Sequence, residues 1–246
     1  MMSKLNLKPE ERIILALDIP EFKDAKDWVD RLRRKIKTFK VGPILFLNCG
    51  PQGIRDLAES GAQIFLDLKF HDIPSTAEKS AKQVVSYGIN MFTVHALGGF
   101  EMMRAVSESV KAESERLSRP KPLILAVTIL TSHSEGEIDE LGIKGLPIES
   151  VLRLADIADL AGVDGLVCSG MEVEVLKKEF GDRFKFVVPG IRVDAYAQDQ
   201  KRVVTPAEAV SLGADYLVIG RAITESKNPE DVLDEIIQSL SNTNRA

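Results

Sequence analysis

A chain of 246 residues with 44% hydrophobic and 28% charged residues fits one large domain or two small ones, can bury a substantial core, and reads as an ordinary soluble globule. Its 32 Lys and Arg against 37 Asp and Glu leave a net charge of −5, and no basic run alternates with aromatics, which argues against nucleic acid as a partner. The amino-terminal MMSKLNLKPEER is not an apolar leader, no window reaches the ~18 apolar residues of a membrane span, and Cys49 and Cys168 are too few for a disulfide framework or a zinc site; two buried thiols in a cytoplasmic protein are expected.

Short apolar runs alternate with helix-length segments along the chain. The first strand, residues 13–19, carries Asp18 near its end. Residues 22–36 set Phe22, Ala25, Trp28, Val29, Leu32 and Ile36 at helical spacing, a stripe suited to packing on a sheet. A second strand at 39–42 holds Lys40. The third, 64–70, reads IFLDLKF and places Asp67 and Lys69 two positions apart on one face of an apolar segment, with Asp72 just beyond. Charges in such a setting are costly unless paired or used; the plain alternative is a structural ion pair. Ser75 with Glu78 predicts a capping box for the next helix, and Gly88 its end.

Strands follow at 91–96, 123–130, 165–169, 185–191 and 216–221. Thr205-Pro206 with Glu208 opens a helix that Gly213 closes, and Asn228-Pro229 opens the last one, with fraying expected after about Leu240. Residues 118–122 are a turn. With no repeat and no linker, residues 1–246 are expected to form a single domain.

Eight strand–helix units in about 250 residues predict a (β/α)8 barrel of the α/β class. The rival is a doubly wound open sheet, weakened because no GxGxxG follows the first strand. Barrel chemistry sits at the carboxyl ends of the strands, which selects Asp18, Lys40, Asp67, Lys69, Asp72, His95, Thr131, Ser132, Ser169, Pro189 through Arg192, and Gly220 with Arg221. Acids and lysines alternating at one mouth hold each lysine cationic while leaving an acid to face a substrate. Strands seven and eight end in Gly-Ile-Arg and Ile-Gly-Arg, where barrels bind phosphate through backbone N–H groups, with an arginine fork to add charge-assisted bonds.

DLKFHDIPST at 67–76, Asp18, Lys40 in FKVGP, LTS at 130–132, PGIR at 189–192, DQKR at 199–202 and TPAEAVSLGADYLVIGRAI at 205–223 together resemble the bacterial orotidine 5'-monophosphate decarboxylases, in order and over nearly the whole chain. The resemblance implies conversion of orotidine 5'-monophosphate to UMP, the last step of de novo pyrimidine synthesis, without metal or organic cofactor. It makes Lys69 the proton donor, with Asp67, Lys40 and Asp72 completing the charged network. Asp72, Ile73 and Thr76 are implied to enter the partner's site in a homodimer. Asp18 would hold the ribose, Thr131 and Ser132 the pyrimidine, and Pro189, Arg192, Gln200, Gly220 and Arg221 the phosphate end. Between Arg192 and Gln200 the chain reads VDAYAQD, whereas the family usually has a Pro after the Arg, a Gly soon after, and a slightly longer loop.

Loss of CO2 from C6 of orotate leaves an sp2 carbanion outside the π system, so stabilisation must be electrostatic. Two other readings are a barrel that uses the same Asp-x-Lys-x-x-Asp with Mg2+ on a sugar phosphate, whose members resemble this chain at strand three but carry Glu at the position of Lys40, and a non-catalytic nucleotide-binding barrel, which retention of Asp67 and Lys69 disfavours. His71 is expected to orient its loop. His95 and His133 lack partners at ligand spacing, so no metal site is expected.

Overall fold

The computed structural model describes residues 7–130, 133, 135–143, 145–191, 193 and 204–243. Eight parallel strands close into a barrel in sequence order, β1 pairing with both β2 and β8. They are β1 (Ile13–Ala16), β2 (Thr38–Val41), β3 (Gln63–Phe70), β4 (Met91–His95), β5 (Leu123–Val127), β6 (Gly165–Val167), β7 (Lys185–Val188) and β8 (Tyr216–Ile219). Among the described residues the intervening helices are α1 (Phe22–Leu32), α2 (Pro43–Glu59), α3 (Pro74–Ser86), α4 (Gly99–Leu117), α5 (Glu135–Glu140), α6 (Pro147–Leu160), α7 (Val173–Phe180) and α8 (Pro206–Ser211), with α9 (Arg221–Thr224) and α10 (Pro229–Thr243) after β8. None of them is long and apolar enough to cross a membrane.

Strand alternation sends two sets of apolar side chains in opposite directions. Ile14, Ala16, Phe65, Met91, Leu125, Val187, Tyr216 and Val218 fill the barrel. Their neighbours, among them Leu15, Phe39, Ile64, Phe92, Ile124, Phe186 and Leu217, pack outward with the helices. Burial on both faces is why the strands read as nearly continuous apolar runs. Gly165 marks a close crossing of strands: a Cβ there would lie 2.4 Å from the Lys185 carbonyl oxygen and 2.8 Å from Leu125.

The strands stop earlier than their apolar runs. β1 ends at Ala16, β5 at Val127 and β7 at Val188, although Leu17, Ile129 and Ile191 remain buried. These residues keep core packing beyond the assigned strands, and some pairing persists too: the Leu17 N–H donates to the Lys40 carbonyl at 2.9 Å and Ile191 bridges to Val204. Ile36 likewise is buried beyond the end of α1 at Leu32.

The start of α3 also differs. Ile73 occupies the N-cap and Pro74 the first turn, so Ser75 lies inside the helix; proline's fixed φ and missing N–H suit the first helical position. The Thr205–Glu208 box forms as expected, Thr205 Oγ1 accepting from the Glu208 N–H and Glu208 Oε2 from the Thr205 N–H at 2.8 Å. α10 continues past a buried Leu240 to Thr243 instead of fraying at 240. Cys168 is fully buried, whereas Cys49 is only half-buried.

Candidate active site

Four charged side chains meet at the carboxyl ends of the first three strands. Lys40, with its side chain 11% exposed, points into the barrel two residues after Thr38 on β2; Asp18 lies two residues beyond Ala16 on β1. Lys40 Nζ is 2.9 Å from Asp18 Oδ1 and 3.6 Å from Asp67 Oδ2. Lys69 Nζ lies 2.9 and 3.0 Å from the two Asp67 oxygens. The order is therefore acid, lysine, acid, lysine, each ammonium held by at least one carboxylate, which makes the burial of Lys40 and Asp67 tolerable. Gly42 leaves space beside them, since a Cβ there would stand 3.3 Å from Asp18 Oδ1 and 3.4 Å from Lys40 Nζ.

The Asp67–Lys69 pair forms by a route that simple strand alternation does not describe. Lys69 has φ of 48°, in the left-handed region, at a cost of about 1–3 kcal/mol for a residue with a side chain. The β3–β4 register slips at the same place, from Leu66 opposite Phe92 to Phe70 opposite Val94. Thr93, fully buried in the middle of β4, holds both ends of this irregularity: its hydroxyl donates to Asp67 Oδ1 at 3.0 Å and accepts the Lys69 N–H at 2.8 Å. Sequence reasoning missed Thr93. The available signal was its inward register two residues before His95.

A cavity of about 200 Å3 opens over this group. Lys40, Asp67 and Lys69 form one side; Val127, Leu130, Val167, Pro189 and Val218 supply an apolar wall. A charged side facing an apolar one suits a flat, polar-edged ring. Asp18 also borders a larger cavity of about 660 Å3, together with Trp28, Gly220 and Arg221.

His71 and His95 stack beside the site with ring centroids 5.4 Å apart. His95 Nδ1 accepts the Leu97 N–H at 3.3 Å. Burial, helped by the positive potential of His71, Lys69 and His133, lowers the His95 pKa to about 4. Among the described residues no group of three or more His, Cys, Asp or Glu is arranged to hold a metal ion.

The structure thus unites Asp18, Lys40, Asp67 and Lys69, and brings Pro189, Gly220 and Arg221 to the two cavities. Asp72, Ile73 and Thr76 stand apart and exposed at the start of α3, where Asp72 Oδ1 accepts the Ile73 N–H at 2.7 Å. Among the described residues Asp72 pairs with neither lysine. Thr131, Ser132, Arg192 and Gln200 lie outside the described residues. Ser169 is buried after β6, its N–H accepted by Glu172 Oε2 at 2.8 Å.

Residues 11–236 match the model of the orotidine 5'-phosphate decarboxylase / HUMPS family. The chain is 45% identical over 231 residues to the orotidine 5'-phosphate decarboxylase of Geotalea daltonii, covering 93% of this chain and 95% of that protein. It is 44% identical over 232 residues to that of Vibrio cholerae, covering 94% and 99%. The crystal structure of the Lactobacillus acidophilus enzyme of the same name superposes with a TM-score of 0.83 at 36% identity, covering 94% of this chain and 99% of that one.

Proposed function

The chain belongs to the orotidine 5'-phosphate decarboxylase / HUMPS family, and from that premise we propose that it decarboxylates orotidine 5'-monophosphate to UMP and CO2 in one catalytic domain, with Lys69 as the acid. The observation that carries this reading is the Lys69 ammonium, gripped by Asp67 and facing a cavity with an apolar opposite wall. As the C6–carboxylate bond breaks, its electron pair stays on C6. The Lys69 ammonium meets that charge, then gives a proton to C6, leaving a neutral amine that water reprotonates. Asp67 stands against the departing carboxylate.

A positioned acid supplies roughly 10²–10⁴-fold, far short of the roughly 23 kcal/mol at the upper end of enzymatic acceleration. Binding energy from ribose and phosphate must supply much of the rest. Asp18 and Arg221, both on the larger cavity, are the described residues suited to those groups, with Pro189 and Gly220 as neutral walls. Thr131 and Ser132 on the pyrimidine, and Arg192 and Gln200 on the phosphate, complete the reading from motif alone.

The same observations favour chemistry without a metal. Lys40 Nζ occupies the space between Asp18 and Asp67, where a divalent cation bridging them would meet an ammonium. The purified protein should therefore remove the orotate absorbance of orotidine 5'-monophosphate in the presence of excess EDTA. Activity that EDTA abolishes and Mg2+ restores would favour the sugar-phosphate reading instead.

We also infer a homodimer with shared sites. Asp72, Ile73 and Thr76 are exposed beside their own site, and the starts of α2, α3 and α4, which follow neighbouring strands, leave Ile44 54%, Leu47 82%, Ile73 64%, Leu97 45% and Phe100 38% exposed. A second copy would cover these apolar side chains. Two free thiols fit a reducing cytoplasm, and the net charge of −5 fits a small-molecule enzyme rather than a nucleic-acid or membrane binder.

A further inference from the structure

We propose that Thr93 is a positioning residue of the decarboxylation, its hydroxyl fixing both the carboxylate of Asp67 and the left-handed backbone of Lys69 so that the ammonium is aimed into the cavity. The proposal rests on Lys69 being the acid.

The direction of both hydrogen bonds follows from the groups involved. A carboxylate can only accept and a backbone N–H can only donate, so the single hydroxyl proton goes to Asp67 Oδ1 at 3.0 Å while an oxygen lone pair receives the Lys69 N–H at 2.8 Å. Thr93 is 0% exposed, so water has no access to replace either bond.

The register shows why a side chain is needed here. Between the pairs Leu66–Phe92 and Phe70–Val94, three residues of β3 (67, 68 and 69) face only residue 93 of β4. A regular ladder has no acceptor for the additional amides of such a bulge. The hydroxyl of Thr93 supplies that acceptor at Lys69, the residue with φ of 48°, and its proton is spent on the carboxylate that grips the same lysine's ammonium. One hydroxyl thus ties the backbone and the ion pair of Lys69 together. On the proposed function, ribose and phosphate bind at the larger cavity beside Asp18 and Arg221, so losing this tie affects the chemical step and not binding.

The test compares kcat for orotidine 5'-monophosphate with the Kd for UMP in Thr93→Val, Thr93→Ala and Thr93→Ser. Valine matches the shape without the hydroxyl, alanine repeats the deletion in case valine prevents folding, and serine restores the hydroxyl. The hydroxyl-free variants should lose about 10–100-fold in kcat, as expected for a displaced catalytic group, with UMP affinity within about threefold and serine recovering most of the rate. Overturning results are a kcat within about threefold of wild type in a folded Val or Ala variant, equal losses in Ser and Val, or parallel losses of kcat and UMP affinity. Lys69→Ala in the same assay separates the two readings: if it retains turnover, the acid assignment fails, and if it is inactive while Thr93→Val is unimpaired, only the positioning role fails.

Discussion

Asp67 and Asp215 are equally buried, with side chains 14% exposed, and each binds a lysine at about 3 Å, yet they sit at opposite ends of the barrel and keep different company. Asp215, just before β8, takes Lys185 on one oxygen and the Phe186 N–H on the other. Asp164, just before β6, accepts from Lys121 on both oxygens and from the Ile124 N–H on one of them, and Asn90, just before β4, accepts the Ile64 N–H. These three residues, standing just before β4, β6 and β8, each clasp the strand before it. Asp67 instead serves two ammonium groups and a hydroxyl, and both of those lysines line a cavity. Burial of an ion pair therefore does not distinguish structure from chemistry; what the second oxygen binds does.

The sharpest test strikes the upper end. Lys69→Ala should lower kcat by about 10³-fold or more, at the upper part of the range for a positioned acid, while UMP affinity stays nearly intact because Arg221, the proposed phosphate residue, lines a different cavity. Near-normal turnover would remove the contrast altogether. Arg221→Ala should act the other way, raising KM about 10–100-fold through loss of charge-assisted bonds to phosphate. An unchanged KM would detach Arg221 from the substrate.

Asp72 extends the upper network across two chains under the shared-site reading. Lys69→Ala and Asp72→Asn homodimers should each be nearly inactive. A mixed dimer places both lesions in one site and leaves the other with wild-type Lys69 and Asp72. Random reassortment makes half the dimers mixed, so about a quarter of all sites should recover. Absence of recovery after verified subunit exchange would return Asp72 to its own subunit's site.

Much of this was legible beforehand because both faces of each strand are apolar, so the few charges inside them stood out. Asp18, Lys40, Asp67 and Lys69 could be placed at one mouth from strand order alone. Strand ends were not legible: Leu17 and Ile129 are as apolar as the residues before them, and only the ladder shows where pairing stops. The pairing of Asp67 with Lys69 was anticipated from an i, i+2 strand, but it is made through a left-handed residue and a register slip. Thr93 offered only its inward register two residues before His95; its role exists only across that slip. The amidic and acidic residues before β4, β6 and β8 gave no sign of their common clasp, because their partners are backbone N–H groups far away in sequence.

The lower clasp predicts loss of stability without loss of chemistry. Asp215→Ala removes the acceptor of the Phe186 N–H and strands Lys185, whose side chain is 17% exposed. It should reduce unfolding free energy by about 1–3 kcal/mol, or roughly 2–4 °C in Tm per kcal/mol for a chain of this size. Its kcat should stay near that of wild type. A large fall in kcat with unchanged Tm would give the lower end a part in the reaction.

The smallest effect distinguishes the two ends by pH. His95, beside the upper network, has its pKa lowered from the ordinary 6.5 to about 4 by burial and by the neighbouring His71, Lys69 and His133. The folded protein therefore resists the proton that the unfolded chain takes up near 6.5. Its contribution to stability is complete above that value, declines as pH falls from 6.5 towards 4, and levels off below. Partial access of solvent to the ring screens the effect, so the decline should be shallow. Urea unfolding of wild type and His95→Gln at pH 7 and pH 5 reads it directly: the wild type should lose more stability between the two, since glutamine does not titrate. Equal losses, with a His95 ring signal titrating near 6.5, would show that the ring is solvated and that the upper end carries no such pH sensitivity.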